Sequence, residues 1–398
     1  MDDANGGTPV TILSGALGAG KTTTLNHLLT NAGGRKVAVL VNDMGEVNVD
    51  AAMVESRADG VAELSNGCIC CDLRDDLEVA VSRLAREREF DHLVVEASGI
   101  SEPAPVARLF TTGAASAPYA LDALATVVDA SRFRETLGEG GAVTTDDVRR
   151  TRPGQAERRD GERRPLADLL VGQVECANVV LLNKCDLVDE ATVETTAALV
   201  VSLNPDARVV RTTHGAVDPD ALLGTGAFDL ETVSETAAWR RAAEHADHEH
   251  SPQSEYGIDS FTFRARRPLH PGRFADLVGA LPDAVVRSKG RAWVAGREDW
   301  ALHYSHAGDA ARVEVAERWV AAMPPERREI QRRMQPDLEW DDEWGDRRTE
   351  LVFIGRSMDE AGLRDALADC TLTDAELDAD WDAFENPFPA DDGETLTL

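Results

Sequence analysis

The 398-residue chain predicts an α/β fold, a mostly parallel sheet organised around a phosphate-binding loop, with a smaller α+β domain behind it. Three observations carry that prediction. Gly15-Ala-Leu-Gly18-Ala19-Gly20-Lys21-Thr22 fits G-x-x-x-x-G-K-[ST]; an apolar run leads in (residues 9–14) and a helical pattern leads out (Thr23, Leu25, Leu28, Leu29). Further short apolar runs follow at 36–42, 93–95, 124–129 and 177–183, as expected for strands buried on both faces of a parallel sheet. From residue 257 the texture changes to the alternation of Phe261 and Phe263, which reads as a different kind of strand.

The glycine-rich loop is the strongest of these. Glycines let the backbone wrap closely around phosphate oxygens, and the helix N-terminus adds positive potential. Gly15, Gly18, Ala19, Gly20, Lys21, Thr22 and Thr23 are therefore the candidate nucleotide contacts. Lys21 is expected to reach the β- and γ-phosphates, and the Thr22 hydroxyl to hold Mg2+.

Composition bounds the rest. A formal charge of −31 with only four lysines (Lys21, Lys36, Lys184 and Lys289) suggests a protein adapted to high salt, kept hydrated by its carboxylates. Nonspecific nucleic-acid binding needs a basic footprint, so no nucleic-acid partner is expected. The first residues are neither basic nor apolar, and no run approaches ~20 apolar residues; neither a signal peptide nor a membrane span is expected, which implies a cytoplasmic protein. Cys68, Cys70 and Cys71 crowd into four positions, a metal or redox pattern rather than a disulfide framework.

In chain order, the strand at 36–42 delivers a carboxylate-bearing turn, Asp43 to Asp50, at the sheet edge where ligands bind. It is a candidate switch sensing Mg2+ or γ-phosphate. Gly67-Cys68-Ile-Cys70-Cys71 then precedes a helix from Asp72 to about residue 90. Thiolates at a helix N-terminus bind borderline metals well, and two of them cannot complete a tetrahedral site. Asp43 and Glu46 are the attractive additional donors. The next buried strand ends in Glu96-Ala-Ser-Gly99, where Glu96 suits the Mg2+-supporting carboxylate and Gly99 a backbone N–H near the γ-phosphate.

After the strand 124–129, the polar segment 134–165 reads as a flexible insertion. A helix at 166–175 and a strand at 177–183 bring in Asn183-Lys184-Cys185-Asp186. N-K-x-D selects guanine, because a carboxylate accepts from both N1–H and the 2-amino group, a donor pair adenine lacks. Residues 212–215 fall where a second base-contacting loop belongs. The first domain is thus expected over 8–226. A linker with His245, His248 and His250 covers 227–256, and the α+β domain 257–372. Within it, a helix at 271–281, a hairpin at 285–294, strands near 300–306 and 348–354 and a helix at 358–370 are expected. Residues 373–398 read as an acidic tail, disordered from Asp391.

Taken together, residues 15–22, 42–50, 67–71, 96–99 and 183–186 resemble the CobW-type family of P-loop GTPases, proposed metal chaperones or insertases. Residues 261–267, with Arg287-Ser288-Lys289-Gly290 and Trp293, resemble that family's C-terminal domain. The resemblance implies GTP hydrolysis, with Lys21, Thr22 and Glu96 in the catalytic roles. It also implies a metal site of Cys70, Cys71 and Glu46, beside Cys68; Asp43 stands where a glutamate is more usual. Zn2+ is the first metal and Co2+, toward cobalamin, the alternative; a client metalloprotein would receive it. A regulatory switch with a purely structural zinc is the reading from a different class. No arginine finger is evident, so slow intrinsic hydrolysis is expected.

Overall fold

The computed structural model describes residues 7–41, 81, 84–85, 90–97, 99, 103–112, 116–139, 166–228, 257–308, 310–336, 338–391 and 394–398. The chain divides into two units, Met1–Ala238 and Trp239–Leu398. In the first, strands β1 (Thr8–Gly15), β2 (Val37–Val41), β3 (His92–Glu96), β4 (Tyr119–Asp129), β5 (Val179–Asn183) and β6 (Arg208–Arg211) form one sheet. Its order is β2-β3-β1-β4-β5-β6. Every pairing is parallel. Helices α1 (Lys21–Thr30), α2 (Pro103–Thr111), α3 (Leu166–Glu175) and α4 (Glu190–Leu203) follow β1, β3, β4 and β5 in the chain.

Side chains alternate across a strand, and the burial follows that period. Val10, Ile12, Leu93 and Val95 enter one core with Phe110, whereas Leu13, Val94, Val127 and Leu181 enter a second core with Leu25 and Leu28 of α1. Both faces are covered, which explains the near-continuous apolar strands. β4 begins five residues before the expected strand, because Asp122 interrupts its apolar run. That carboxylate is satisfied locally, accepting from the backbone N–H groups of Gly224, Thr225 and Gly226 at 2.9, 3.0 and 2.7 Å. The polar segment expected to be loose from residue 134 starts instead as a helical turn, Glu135–Glu139, with Phe133 and Leu137 buried. Residues 140–165, and the linker histidines His245, His248 and His250, lie outside the described residues.

The second unit contains β7 (Ile258–Ala265), α5 (Pro271–Val278), β8 (Val285–Ala292), β9 (Trp300–Ala307), β10 (Ala310–Arg318), α6 (Pro325–Met334), β11 (Thr349–Arg356), α7 (Glu360–Asp369) and β12 (Thr395–Thr397). Its sheet runs β12-β10-β9-β8-β11-β7, antiparallel throughout. Phe261, Phe263, Phe274, Tyr304, Phe353 and Leu367 share its core.

Two expectations are corrected here. Residues 285–294 are not a hairpin. Ser-Lys-Gly looks like a turn, yet Gly290 sits mid-strand at φ +146°, where an added Cβ would meet the Glu350 carbonyl oxygen at 2.1 Å. The glycine admits a neighbouring strand rather than reversing the chain. Nor is the C-terminal segment a disordered tail. Phe388 is buried in the domain core, and Leu396 pairs with Val313 as β12 extends the sheet. The strand β10 and the helix α6 went unpredicted.

Candidate nucleotide site

The ligand edge of a parallel sheet lies at the carboxyl ends of its strands. Here β1, β3, β4 and β5 end in Gly15, Glu96, Asp129 and Asn183. The loop between β1 and α1 needs unusual backbone: Gly15 and Gly20 have φ of +135° and +109°. A Cβ on Gly15 would meet the Val127 carbonyl oxygen at 2.3 Å, and one on Gly20 the Asn183 Nδ2 at 2.4 Å. Gly18 instead faces open space, and Gly99 brings its backbone against Leu17 of the loop.

Lys21 is 7% exposed and donates from Nζ to the carbonyl oxygens of Gly15 and Ala16 at 3.0 and 3.1 Å. The ammonium is thereby held within the loop that would receive phosphate. One residue on, Thr22 Oγ1 donates to Glu96 Oε1 at 3.2 Å, joining the start of α1 to the end of β3. Thr23 faces solvent.

Asn183 is held by hydrogen bonds to two loops. Its Nδ2 donates to the Ala19 carbonyl oxygen at 2.9 Å. Its Oδ1 accepts from Thr212 Oγ1 and from the Gly215 N–H, both at 3.0 Å. At 2% exposure it straps the phosphate loop to the loop after β6. Asp186 is exposed, with His214 Nε2 3.7 Å from its carboxylate. Between them, burial pushes the Cys185 thiol up, and its Sγ donates to the Leu182 carbonyl oxygen at 3.1 Å.

A nucleotide-binding model of the CobW, HypB and UreG proteins matches residues 9–211, and a model of the CobW C-terminal domain matches residues 258–371. The zinc-regulated GTPase metalloprotein activator 1 of Dictyostelium discoideum is 39% identical over 394 residues, covering 93% of this chain and 81% of that protein. The chain belongs to the CobW family of GTPases. A zinc chaperone CobW from Sinorhizobium is 30% identical over 379 residues, 90% of this chain and 96% of that one. Among solved structures, a Zn(II)-bound YjiA GTPase from E. coli aligns at a TM-score of 0.40 and 23% identity, over 92% of this chain and 99% of that one.

This CobW-family site includes one residue that sequence reasoning passed over. Asp129 Oδ2 pairs with Lys184 Nζ at 2.6 Å, and its Oδ1 accepts from Ser131 N and Oγ at 2.9 and 2.6 Å. Burial works against its charge, but the hydrogen bonds from Lys184 and Ser131 outweigh it and hold the carboxyl below the usual carboxylate range. Lys184 itself adopts φ +63°, so the pair fixes a backbone shape that the N-K-x-D turn needs. The available signal was an acid terminating an apolar strand, the same signal that marked Glu96. The expected metal residues Asp43, Glu46, Cys68, Cys70 and Cys71 lie outside the described residues. Among the described residues no His, Cys, Asp and Glu group could hold a metal ion, and no helix is long and apolar enough to cross a membrane.

Proposed function

We propose that this GTPase is a cytoplasmic metallochaperone, loading a divalent ion and passing it to a client metalloprotein when GTP is hydrolysed. The observation that carries the reading is the 39% identity, over 394 residues, to a zinc-regulated GTPase metalloprotein activator. Zn2+ is accordingly the cargo, held on the thiolates of Cys70 and Cys71 beside Cys68, with Glu46 and Asp43 as oxygen donors.

The nucleotide chemistry follows from the described residues. Lys21 exchanges the Gly15 and Ala16 carbonyl oxygens for β- and γ-phosphate oxygens. Thr22 and Glu96 present a hydroxyl and a carboxylate 3.2 Å apart, the hard oxygen donors that suit Mg2+, so these two residues would hold that ion. When bound, it would neutralise developing charge on the transferred phosphoryl group. Gly99 brings a backbone N–H beside the loop, and Asp186 accepts from guanine.

Coupling needs a segment shared by both sites. The segment carrying Asp43 and Glu46 comes directly after β2 in sequence, so GTP and metal would bias one element, and their effects on each other's affinity are reciprocal. A metal-competition titration in molar salt, with a GTP analogue, with GDP and without nucleotide, tests this. Zn2+ affinity is expected to differ about tenfold between the GTP and GDP states, about 1.4 kcal/mol. Cys70→Ala and Cys71→Ala are expected to abolish tight binding. Equal affinity in all three states would mean a structural zinc, and a nucleotide-gated Co2+ site with ungated Zn2+ would favour the cobalt reading.

A further inference from the structure

Among the described residues, three other than glycine have a positive φ: Lys184, His214 and Ser357, at +63°, +51° and +48°. Two of them flank Asp186, one in the turn after β5 and one in the loop after β6. That left-handed backbone is uncommon for residues with a side chain and persists where the surroundings over-determine it. For Lys184 the ion pair with Asp129 supplies the constraint. For His214 the loop itself does. Thr212 Oγ1 and the Gly215 N–H, on either side of it, both donate to Asn183 Oδ1. The Cys185 N–H donates to the Thr212 carbonyl oxygen at 3.3 Å. Gly215 also lies against α1, where an added Cβ would meet the Thr24 backbone nitrogen at 2.7 Å.

His214 is thus fixed at its backbone and open at its tip. Its side chain is 82% exposed, and Nε2 lies 3.7 Å from Asp186 Oδ2. At that separation the two do not hydrogen-bond, so the imidazole keeps its donor and the carboxylate its acceptors. The carboxylate favours the proton on the nitrogen that faces it, Nε2. The neighbouring cations are engaged elsewhere, Lys184 by Asp129 and Arg211 by Glu190 and Glu194. Among the described residues, His214 is the basic side chain in ion-pair range of Asp186.

We propose that His214 determines base specificity, its Nε2–H donating to the 6-oxo group of guanine while Asp186 accepts from N1–H and the 2-amino group. The proposal rests on the reading of Asp186 as the guanine acceptor. A donor and an acceptor side by side match the order of groups along the guanine edge, where the 6-oxo acceptor adjoins the N1–H donor. Adenine reverses that order. Its 6-amino group would bring a donor against the imidazole N–H, and its unprotonated N1 an acceptor against the carboxylate. A site that hydrogen-bonds one base and leaves its own groups unpaired with another discriminates more strongly than shape alone.

The test is equilibrium titration of the full chain with GTP, 6-thioguanosine triphosphate and inosine triphosphate. The sulfur analogue weakens the acceptor at position 6, and inosine removes only the 2-amino group. The parent is expected to prefer GTP to both. His214→Ala should weaken GTP about tenfold, or about 1.4 kcal/mol, and erase the preference over the sulfur analogue. The preference over inosine triphosphate, which reports on Asp186, should remain. His214→Gly removes the side chain and relaxes the backbone, so it should show the same loss if the imidazole is responsible. Retention of the parent's GTP affinity in His214→Gly would assign the effect to backbone strain and overturn the proposal. So would an unchanged preference over the sulfur analogue in both variants, or no such preference in the parent. Asp186→Asn, titrated in parallel with GTP and xanthosine triphosphate, tests the reading beneath it. If that variant alters base preference while the His214 variants do not, the proposal fails and the reading of Asp186 stands; if Asp186→Asn leaves base preference unaltered, both fail.

Discussion

The two sheets place their polar residues by opposite rules. In the parallel sheet Glu96, Asp129 and Asn183 stand at strand ends, in contact with Thr22 of α1, Lys184 after β5 and the Ala19 carbonyl of the glycine-rich loop respectively. In the antiparallel sheet Arg287, Ser288 and Lys289 are buried mid-strand; Arg287 donates to Ser305 Oγ at 2.8 Å, and Ser288 to the Tyr304 hydroxyl at 2.8 Å. A parallel sheet aligns all its carboxyl ends at one edge, so chemistry collects there. Antiparallel strands alternate direction and build no such edge, so their buried polar groups serve packing and specificity within the sheet. Perturbing strand ends should therefore change GTP chemistry, and perturbing mid-strand positions should change stability.

The largest effect expected is at Lys21. Lys21→Ala removes a preorganised cation from the phosphate loop, and single-turnover GTP hydrolysis should fall by about 10²–10³. A fall under tenfold would mean that Lys21 only braces Gly15 and Ala16. The two crowded glycines give the next contrast, because a Cβ would collide with backbone oxygen in both: Val127 for Gly15, Glu350 for Gly290. Each also has φ above +130°. Both substitutions should destabilise by about 3 kcal/mol or more. Gly15→Ala should in addition lose GTP affinity by equilibrium titration, whereas Gly290→Ala should not. If Gly290→Ala weakens GTP equally, the separation between strand ends and mid-strand positions fails.

Asn183 and Asp186 sharpen the comparison within one motif. Asn183→Ala leaves the Ala19 carbonyl, the Thr212 hydroxyl and the Gly215 N–H without their buried partner, so thermal or urea unfolding should report a loss of about 2–4 kcal/mol. Asp186→Asn should leave stability within about 0.5 kcal/mol, because the side chain is exposed. GTP affinity should nevertheless drop by about tenfold to a hundredfold, given about 1.5–3 kcal/mol for hydrogen bonds to a charged group. Because a carboxamide can donate to the 2-oxo group of xanthine, xanthosine triphosphate should bind the variant better than GTP. Unaltered base preference would remove Asp186 from the base site.

This division also decides what the sequence revealed. Strand-end chemistry is written in consecutive residues, an apolar run, then a turn, then Lys-Thr or Asn-Lys-x-Asp, and the P-loop, β3 with Glu96, and β5 were all legible. Asp129 was missed because its partner, Lys184, is 55 residues away and no local pattern joins them. The antiparallel domain was legible only in outline. Gly290 mimics a turn until the β11 backbone is beside it, and β12 owes its order to pairing with β10 and to Phe388 in the core. Both depend on contacts distant in sequence. Helix α6 buries none of its residues, so hydrophobic periodicity could not reveal it.

The smallest effect compares one carboxylate from each unit. Asp129 is held below the ordinary range by Lys184 and Ser131 against the cost of burial, and Glu376 by hydrogen bonds from Arg273, at 2.8 Å to each oxygen, and from Thr373. The depressed folded-state pKa gives the sign. Each group's contribution is complete above its unfolded value, about 3.8 for Asp and 4.5 for Glu, and is lost as pH falls through its lower folded value. Both units should therefore lose stability below about pH 4, with no change between pH 5 and 8 from these groups. Asp129→Asn should cost about 1–2 kcal/mol at pH 7, by losing the charge-assisted pair with Lys184, and should flatten the acid dependence of the first unit. It should also weaken GTP binding, because Lys184 would lose the contact that fixes its left-handed backbone. Glu376→Gln should flatten the acid dependence of the second unit while GTP titrations stay unchanged. The carboxylates differ little in protonation chemistry; the strand end occupied by Asp129 is what would make its titration a matter of function as well as stability.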